Sequence, residues 1–482
     1  MPWKPPTPIE IYQLLPKTNC GKCGEANCMA FAVRLAALEA RVEDCPPLIE
    51  EEKYRESVEK LRELLLPPVK EVMLKSPKRV VKIGGKYVLF RHELRYHNPT
   101  AIAIDVDDSM ERDVIVKRVK MIESFEYEYV GQKLKLDAVA VRSVTNNPEK
   151  YAKTVYTVVE NTTLPLILCS TNTAVIEAAL DVLSPPHHRP LIYAATKENW
   201  REMAEVARKF DVPLVIACPG DLDTLVSLAK TLSEDMGLKD LALDPGCFVG
   251  SGGLSYTIKA YSWLRYKATY DLWKYAKYPL VATPISVWTQ ITGDPKDIMW
   301  WEAILATILM TRYADLIIMH SLDGWVLLPQ VMWRFQLYTD PRKPVSVPPG
   351  LREIGKPDEM SPVLVTTNYA LTYSVVLSDA EKAKVNAWLL VVDTEGLAVD
   401  VSVAGRKLTG DRVAEAIKTT GLENKVKHRV LIIPGKAARV SGEIEDASKW
   451  RVLVGPMDSS EIGKWLEKSW TPEKIRELME GI

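Results

Sequence analysis

Residues 20–45 read CGKCGEANCMAFAVRLAALEARVEDC and hold four of the seven cysteines of the chain. The spacing is C-x2-C-x4-C-x16-C, so three thiols fall in one short loop and the fourth, Cys45, lies further along. Residues 29–42 predict a helix, because they lack Gly and Pro and are rich in Ala, Leu and Arg. That helix would lead the chain away from the cysteine loop and bring Cys45 back to it. Pro46 and Pro47, which follow Cys45, would end the helix.

Two kinds of metal centre are compatible with this spacing. Structural zinc usually takes two C-x2-C pairs, each chelating one edge of a tetrahedron, and only one such pair is present. A four-iron cluster needs four thiolates around a cube, which suits three close ligands and one distant ligand. The sequence therefore favours an iron–sulfur cluster, with zinc as the alternative. The candidate ligands are Cys20, Cys23, Cys28 and Cys45.

The bulk composition limits the classes of function. With 482 residues, 47% of them apolar, the chain has material for about two to four domains with buried cores. Its 62 basic and 63 acidic residues nearly balance and form no basic block, so a nucleic-acid role has little support. No apolar run approaches the roughly 18 residues that cross a bilayer, and the N-terminus resembles no signal peptide. A cytoplasmic location is expected, where thiolates stay reduced.

The segment after the cysteines is expected to be a helical connector. Residues 1–60 are assigned to the cluster domain, and the helix continues to residue 76, because apolar positions recur at helical spacing over 48–76. Next, two β-rich runs flank Gly84-Gly85, which predicts a β-hairpin. This hairpin could close the N-terminal end of a barrel.

Eight short apolar runs rich in β-branched residues follow between residues 101 and 321, with amphipathic helical stretches between them. Strands buried on both faces have this continuous apolar character. Eight βα units over about 230 residues predict a (β/α)8 TIM barrel, assigned to residues 77–335. Active sites of such barrels lie at the carboxyl ends of the strands, and turn or helix-cap roles are the alternative for polar residues there. The candidates are Asp105, Asp107, Asp108, Ser170, Asn172, Lys197, Asp244 and His320.

A segment rich in proline and charge, residues 336–361, is typical of a linker. Beyond it, residues 362–482 alternate four apolar runs with helical stretches, which predicts an open, doubly wound α/β domain. Ligands of such sheets bind beyond the carboxyl ends of the strands. The loops there are built of Gly, Thr, Asn and Pro, and they suit a large flat ligand rimmed with amides. GxGxxG is absent after the first strand, which disfavours a dinucleotide.

The whole chain resembles one family, the large subunit of the corrinoid iron–sulfur protein, which is the gamma subunit of the archaeal acetyl-CoA decarbonylase/synthase complex. The cysteine spacing carries the resemblance, together with the segments VLVTTNYALTYS (363–374), DTEGLAV (393–399), LIIPGKAARVSGEIE (431–445) and VLVGPMDSSEI (452–462). The resemblance implies a corrinoid-binding C-terminal domain. The implied corrinoid contacts are Thr366, Asn368, Thr372, Gly396, Leu397, Ala398, Val399, Gly435 and Gly455.

One departure from common corrinoid modules concerns the metal ligand. Most such modules hold cobalt through the His of a D-x-H-x-x-G motif. The nearest match here runs from Asp400 to Gly405 and has Ser402 in place of the His. The only histidine of the domain, His428, is predicted to begin a strand, away from the strand-end floor. The resembled family has no imidazole on its cobalt, and the same is implied here.

The resemblance implies a methyltransferase component of the acetyl-CoA decarbonylase/synthase system. The chain would accept a methyl group from a methyl-tetrahydropterin, of the tetrahydrosarcinapterin or tetrahydrofolate type, on Co(I) and deliver it to acetyl-CoA synthase. A 4Fe-4S cluster would restore Co(I) after oxidation. The implied partners are a smaller barrel subunit in a heterodimer, acetyl-CoA synthase, and the methyl donor or its methyltransferase. Two alternatives remain: an electron-transfer or zinc-stabilised docking protein, and a barrel methyltransferase that binds the pterin itself.

Overall fold

The computed structural model describes residues 3–183 and 187–480, which fold as two compact units. The first unit runs to Tyr127 and resumes from Leu134 to Thr339. The second contains Glu128–Lys133 and the chain from Asp340 onward. The four cysteines and the barrel belong to the same unit, so a separate cluster domain ending at residue 60 stays a prediction.

The N-terminal segment is a small helical core. The side chain of Asn27 caps the helix that carries Cys28. The helix predicted over residues 29–42 ends earlier, at Ala36, because Leu38 adopts the left-handed backbone conformation (φ 56°) and turns the chain. The helices are α1 (Pro8–Leu14), α2 (Cys28–Ala36), α3 (Pro46–Glu50) and α4 (Arg55–Leu64).

The helical connector predicted to residue 76 is wrong beyond α4. Pro67 and Pro68 follow that helix, and side-chain burial then alternates with the period of two that is typical of a strand. This strand pairs antiparallel with the next one, so the hairpin turns at residues 76–79, and Gly84 lies at its far end instead of in its turn. The strands are β1 (Glu71–Lys75) and β2 (Val80–Gly84).

All eight predicted barrel strands are present, and neighbouring strands are parallel. A bridge from Leu243 to Leu280 closes the ring. As predicted, the leading hairpin closes the N-terminal end, where Val72, Leu74 and Ile83 pack against the apolar interior of the strands. The barrel strands are β3 (Ala101–Asp107), β6 (Ala138–Arg142), β7 (Leu166–Cys169), β8 (Leu191–Ala195), β9 (Leu214–Ala217), β10 (Leu241–Asp244), β11 (Val281–Ala282) and β12 (Leu316–Met319).

Helices follow the barrel strands, and a small hairpin is inserted before β6. The hairpin is β4 (Glu126–Tyr129) and β5 (Gln132–Lys135). The helices are α5 (Arg112–Ser124), α6 (Pro148–Val159), α7 (Thr173–Leu183), α8 (Trp200–Phe210), α9 (Leu222–Glu234), α10 (Gly253–Thr269), α11 (Val287–Gln290), α12 (Pro295–Thr311) and α13 (Gly324–Tyr338). Among the described residues, no helix combines the length and apolarity needed to traverse a bilayer.

The C-terminal unit is the predicted doubly wound α/β sheet, with an apolar core on each face. The strands are β13 (Gly350–Ile354), β14 (Val363–Thr367), β15 (Ala387–Val392), β16 (Val430–Ile433) and β17 (Arg451–Val454), and they lie in the order β13-β15-β14-β16-β17. The helices are α14 (Ala370–Lys382), α15 (Val399–Ala404), α16 (Gly410–Thr420), α17 (Ser441–Ser448), α18 (Ile462–Ser469) and α19 (Pro472–Glu480).

The segment predicted as a linker, residues 336–361, is a linker only in part. Its residues 350–354 form β13, which pairs antiparallel with β15 at the edge of the sheet. The strand is short and follows prolines, and both features are common at sheet edges. Composition indicated a linker because an edge strand needs few apolar residues.

Candidate functional site

A cavity of about 360 Å³ lies at the carboxyl ends of the C-terminal sheet. The first parallel strand, β14, has β15 on one side and β16 on the other, so the strand order reverses at this point. Such a switch point is where ligands bind in open α/β sheets. The cavity is lined by Leu364, Val365, Thr366, Leu371, Thr372, Val375, Val376, Ala398, Val399, Asp400, Ile432, Ile433, Pro434, Lys436, Gly455, Pro456, Met457, Asp458, Ser459, Ile462 and Trp465.

The structure brings five of the nine proposed contact residues into the cavity wall. They are Thr366, Thr372, Ala398, Val399 and Gly455. The other four, Asn368, Gly396, Leu397 and Gly435, shape the loops that surround it.

Asn368 is a buried brace. Its Oδ1 accepts hydrogen bonds from the backbone N–H groups of Thr394 (2.9 Å) and Gly396 (3.0 Å). The Thr394 hydroxyl in turn donates to the carbonyl of Leu397 (3.0 Å). Gly396 has φ 77°, in the left-handed region that favours glycine. These contacts fix the loop after β15 and thereby place Ala398 in the cavity wall.

Gly435 allows two loops to approach closely. Its N–H donates to the carbonyl of Pro456 (2.9 Å). A Cβ at this position would lie 2.8 Å from Sδ and 2.9 Å from the backbone nitrogen of Met457. Met457 lines the cavity and lies in the loop after β17. Any side chain at residue 435 would therefore displace this loop.

The cavity floor contains a polar atom without a partner. Thr366 is 2% exposed, and its Oγ1 makes no hydrogen bond within the described part of the chain. A buried polar group left unsatisfied costs about 1–3 kcal/mol, so native structures rarely keep one without a reason. The hydroxyl of Thr367 is also unpartnered, but this residue does not line the cavity.

Sequence reasoning missed the apolar wall of the cavity. Leu371 and Val375 are one turn apart on α14 and remain largely exposed, as does Met457 in the loop after β17. Trp465 adds an aromatic ring from α18. The i, i+4 spacing on α14 was a signal, but it is equally compatible with a helix that only packs on its own sheet.

No histidine is found among the residues that line the cavity. His428 is buried two residues before β16, where its Nε2 lies 2.9 Å from the Ser361 carbonyl oxygen and its Nδ1 accepts from the N–H of Val430 (3.3 Å). Burial lowers the pKa of His428, which keeps the ring neutral. Both ring nitrogens are thus engaged inside the fold.

The four N-terminal cysteines converge. Cys28 and Cys45 are buried in the helical core, whereas Cys23 is half-buried and Cys20 is exposed. Burial raises the pKa of the Cys45 thiol, and the nearby thiols of the other three raise it further. The backbone N–H of Lys22 lowers the pKa of Cys20, so the loop stabilises a thiolate at its exposed end.

The two kinds of metal centre compatible with four cysteines differ in how far apart they hold the thiolates. Within residues 3–183 and 187–480, no three His, Cys, Asp or Glu side chains are placed to hold a metal ion. Thiolates around one zinc stand about 3.8 Å apart, since each Zn–S bond is about 2.3 Å. Ligands around a four-iron cube are spread more widely. The preference for a cluster over zinc rests on the C-x2-C-x4-C-x16-C spacing in the sequence.

Known proteins similar to this chain identify its family. Residues 71–466 match the family model described as CO dehydrogenase/acetyl-CoA synthase delta subunit, and residues 15–47 match an Fe-S cluster model. The gamma 2 subunit of the Methanosarcina thermophila acetyl-CoA decarbonylase/synthase complex is 44% identical, over 97% of this chain and 99% of that protein. The Methanopyrus kandleri gamma subunit is 46% identical, over 95% of this chain and 97% of that protein.

The chain belongs to the acetyl-CoA decarbonylase/synthase gamma-subunit family. This family is the large subunit of the corrinoid iron–sulfur protein of that complex, so the resemblance inferred from the sequence is confirmed. Among solved structures, dihydropteroate synthase from Thermus thermophilus matches with a TM-score of 0.37 and 14% identity, over 56% of this chain and 100% of that chain. Similarity at this level has no bearing on which ligand either barrel binds.

The barrel of this gamma-family chain carries a charged cluster at the carboxyl ends of its strands. Oδ1 of the buried Asp105 accepts from Nδ1 of His320 (2.7 Å) and Nη2 of Arg118 (3.1 Å), and Oδ2 accepts from Nε of Arg142 (2.7 Å). Burial alone would raise the pKa of Asp105, but the His320 hydrogen bond and the two guanidinium charges hold it below its usual value. Every oxygen of this carboxylate has a partner inside the barrel.

Asp244 lies in a different environment at the same end of the barrel. Its Oδ2 accepts from the Tyr193 hydroxyl (2.8 Å) and its Oδ1 from the N–H of Gly246 (2.7 Å). Burial nevertheless raises the pKa of Asp244 to about 6, because no cation is paired with it. Burial also raises the pKa of the neighbouring Cys247 to about 12, so that thiol stays neutral.

The remaining candidates at the barrel strand ends have turn or cap roles. Asp107, Ser170 and Asn172 each accept the backbone N–H two residues ahead, at 2.9 to 3.1 Å. Asp108 accepts two backbone N–H groups of the loop after β6, at 2.7 and 2.9 Å. Lys197 is exposed beside Glu198. The structure thus places these five in turns and caps.

Proposed function

We propose that this chain carries a corrinoid in the cavity of its C-terminal unit and a 4Fe-4S cluster on Cys20, Cys23, Cys28 and Cys45. It would act as the methyl carrier of the complex. The observation that carries the proposal is the cavity at the sheet's switch point, with an apolar wall and the unpartnered hydroxyl of Thr366 in its floor.

The chemistry of the cavity residues suits a corrinoid. A corrinoid is a broad apolar ring with amide side chains, and it supplies a cobalt centre that can accept and release a methyl group. Leu371, Val375 and Met457 would contact the ring. The Thr366 hydroxyl and the backbone groups of the loop at residues 396–399 would bind the amides.

The residues that line the cavity include no imidazole for the metal of such a ligand. Among the lining residues the side chains with donor atoms are hydroxyls, carboxylates, one lysine, one thioether and one indole. His428 is occupied elsewhere by Ser361 and Val430. The lining residues would therefore supply no histidine nitrogen to the metal of the corrinoid.

The N-terminal cysteines would hold the cluster that keeps the carrier reduced. A 4Fe-4S cluster supplies one electron at low potential. Cys28 and Cys45 would anchor the cluster in the helical core, and Cys20 would hold its exposed edge, where an electron donor can approach. The N–H of Lys22 would stabilise negative charge on the Cys20 sulfur.

In this proposal the chain takes the methyl group from a methyl-tetrahydropterin, or from its methyltransferase, and presents it to acetyl-CoA synthase in the cytoplasm. A smaller barrel subunit would complete a heterodimer with it. The support is the family itself, whose members are named as subunits of the acetyl-CoA decarbonylase/synthase complex.

The decisive experiment is metal and corrinoid analysis of the chain purified without oxygen, both alone and with the other subunits of the complex. About four irons and one cobalt per chain are expected, with iron–sulfur and corrinoid absorption bands. Zinc in place of iron, or no corrinoid in either preparation, would refute the proposal. A nitrogen hyperfine pattern from a protein imidazole in the Co(II) electron paramagnetic resonance spectrum would refute the proposal that no histidine binds the cobalt.

Matched variants separate the two sites. Cys45→Ser should lose the iron, whereas Cys218→Ser, a buried barrel cysteine, should retain it. Thr372→Trp should fill the cavity and abolish corrinoid binding, whereas Thr419→Trp, on the exposed side of α16, should bind as the wild type does. Equal cobalt content in both tryptophan variants would show that the corrinoid binds elsewhere.

A further inference from the structure

A second cavity, of about 910 Å³, lies at the N-terminal end of the barrel and belongs entirely to the first unit. The helical core contributes Leu38 and Leu66 to its wall, and the segment before β1 contributes Lys70. The loops before β10 and β11 contribute Lys239 and Lys277. Cavities of about 300–1,000 Å³ are typical of small-molecule sites. This cavity shares no lining residue with the cavity of the C-terminal unit.

Three lysines of the wall lack a counter-charge, and we call this space the lysine cavity (the cavity lined by Lys70, Lys239 and Lys277). None of the three forms an ion pair within the described part of the chain. The fourth cation of the wall, Arg41, is neutralised by Asp44 at 3.1 Å. The lysine cavity therefore presents three free ammonium groups.

The carboxylates of the same wall are mostly engaged elsewhere. Glu71 pairs with Lys82 at 2.8 Å, and Asp240 pairs with Arg189 at 2.5 Å. Glu63 is the one lining carboxylate without an ion pair among the described residues. The unpaired groups of the wall are thus three cations and one anion. A concave surface with charge of mainly one sign concentrates the field, so it attracts ligands of the opposite sign.

The backbone brings two of the lysines together. The N–H of Lys70 donates to the carbonyl of Lys277 (2.8 Å), and the carbonyl of Lys70 accepts from the N–H of Gly85 (3.1 Å). Burial and the nearby charge of Lys70 lower the pKa of Lys277. The fold therefore places two like charges side by side and half-buries one of them, which costs free energy. An anion bound between the two ammonium groups would remove that cost.

An aromatic surface adjoins the lysines. The rings of Trp3 and Tyr87, which both line the cavity, lie 5.0 Å apart between their centroids. The backbone N–H of Trp3 donates to the carbonyl of Thr269 (3.1 Å), and the hydroxyl of Tyr87 donates to the carbonyl of Leu65 (3.1 Å). These bonds hold the two residues in place. A flat ring of a ligand could stack against them.

We infer that the lysine cavity binds a small molecule that combines phosphate groups with a flat aromatic ring, as a nucleotide does. Its phosphates would contact Lys70 and Lys277, since an ammonium group is a common phosphate binder. Its ring would contact Trp3 and Tyr87. Because the helical core and the barrel loops both line the cavity, the ligand would join the core that carries the cysteines to the barrel. The inference depends neither on the corrinoid nor on the cluster.

The test is calorimetric titration of the full chain, purified without oxygen, with ATP, coenzyme A and pyrophosphate. The first two are the alternative nucleotides, and pyrophosphate lacks the ring. Lys70→Gln with Lys277→Gln should weaken binding of the better nucleotide about tenfold or more. The matched control is Lys117→Gln with Lys259→Gln, which removes the same charge from exposed positions on α5 and α10. It should bind as the wild type does.

Two further measurements separate the parts of the site. Trp3→Ala should weaken the nucleotide about tenfold and leave pyrophosphate binding unchanged. Without ligand, the thermal midpoint of the Lys70→Gln, Lys277→Gln variant should equal or exceed that of the wild type, because the repulsion between the lysines is gone. This second readout also shows that the variant is folded.

Three results would overturn the inference. The first is no binding of either nucleotide at about 1 mM. The second is equal weakening by the lysine variant and its matched control. The third is pyrophosphate binding as tightly as the better nucleotide, which would remove the ring from the proposed ligand. Hydrogen–deuterium exchange of the wild type covers the case in which a variant misfolds: protection of residues 38–41 and 63–71 by the nucleotide supports the inference, and unchanged exchange contradicts it.

Discussion

The barrel and the C-terminal unit both place polar residues at the carboxyl ends of parallel strands, but the two sets differ in their partners. At the barrel end, Asp105 has three side-chain donors within 3.1 Å. At the C-terminal sheet, Thr366 lines a cavity, and its Oγ1 has no partner among the described residues. Position at a strand end is therefore not sufficient evidence of a ligand site. An unsatisfied polar atom in a residue that lines a cavity is the stronger indication, because leaving a buried polar atom without a partner is costly.

This difference assigns separate roles to the two ends. The barrel cluster is internally complete, so its residues stabilise the first unit. The cavity wall, in contrast, includes Thr366, whose hydroxyl has no partner among the described residues. Four predictions test the comparison, in order of decreasing effect.

Asp105→Asn should have the largest effect, because it leaves Arg142 and Arg118 beside a neutral group. We expect a loss of about 3–5 kcal/mol in the free energy of unfolding of the first unit, measured by urea denaturation at pH 7. Because the folded pKa of Asp105 lies below its ordinary 3.8, the wild type keeps this contribution above about pH 4 and loses it as the pH falls further. Cobalt per folded chain should not change. An unaltered denaturation curve would show that the cluster is not structural.

Asp244 should show the opposite pH dependence. Its folded pKa of about 6 is above the ordinary 3.8, so its neutral form stabilises the fold below about pH 4 and that stability is lost as the pH rises through 6. The total change is up to about 3 kcal/mol. Asp244→Asn cannot ionise, and its unfolding free energy should vary less with pH between 4 and 6.5 than that of the wild type. Parallel pH profiles would contradict the buried, unpaired state.

Asn368→Ala tests whether the brace is structural. The substitution leaves the N–H groups of Thr394 and Gly396 without their acceptor, so we expect the C-terminal unit to lose about 2–3 kcal/mol of unfolding free energy. Corrinoid should bind more weakly but be restored in part at high concentration. A variant with normal stability and abolished corrinoid binding would instead make Asn368 a direct contact.

Thr366→Val should have the smallest effect on the fold and the most specific effect on the ligand. Removing an unpartnered hydroxyl should leave the unfolding free energy within about 1 kcal/mol of the wild type or raise it slightly. The dissociation constant for cobinamide, measured by titration of its visible spectrum, should rise about tenfold. Thr367→Val is the matched control, because its hydroxyl is equally unpartnered but lies outside the cavity wall. Equal weakening by both would remove the assigned role of Thr366.

Much of the architecture could be predicted because strand burial is local in sequence. The eight barrel strands and the strands β14 to β17 are continuous apolar runs, and such runs are recognisable without tertiary contacts. The errors in the predicted element boundaries have other causes. The run after Pro67-Pro68 has helical spacing and strand spacing at once, and only pairing with β2 decides between them. The left-handed Leu38 has no composition signal, so the end of α2 was misplaced.

Part of the cavity wall could be predicted from the sequence. The rule that ligands bind at the carboxyl ends of parallel strands predicts Thr366. The family resemblance adds Thr372, Ala398, Val399 and Gly455, and all five residues line the cavity. The same sources gave no reason to distinguish Asn368 from the residues that line the cavity. Its side chain instead accepts hydrogen bonds from the loop after β15. The apolar half of the wall comes from α14, α18 and the loop after β17. Those elements are separated along the sequence, and only the tertiary structure brings them together.

The sequence by itself determined the order of the elements, the barrel, the doubly wound sheet and a cysteine spacing that suits a cluster, because periodicity and ligand spacing are properties of the chain. Only the tertiary structure decided which polar groups are satisfied and which are not. Asp105 and Thr366 follow the same rule of position in the sequence. Folding surrounds Asp105 with His320, Arg118 and Arg142 and leaves the Thr366 hydroxyl without a partner among the described residues, because partners of buried polar groups come from distant parts of the chain.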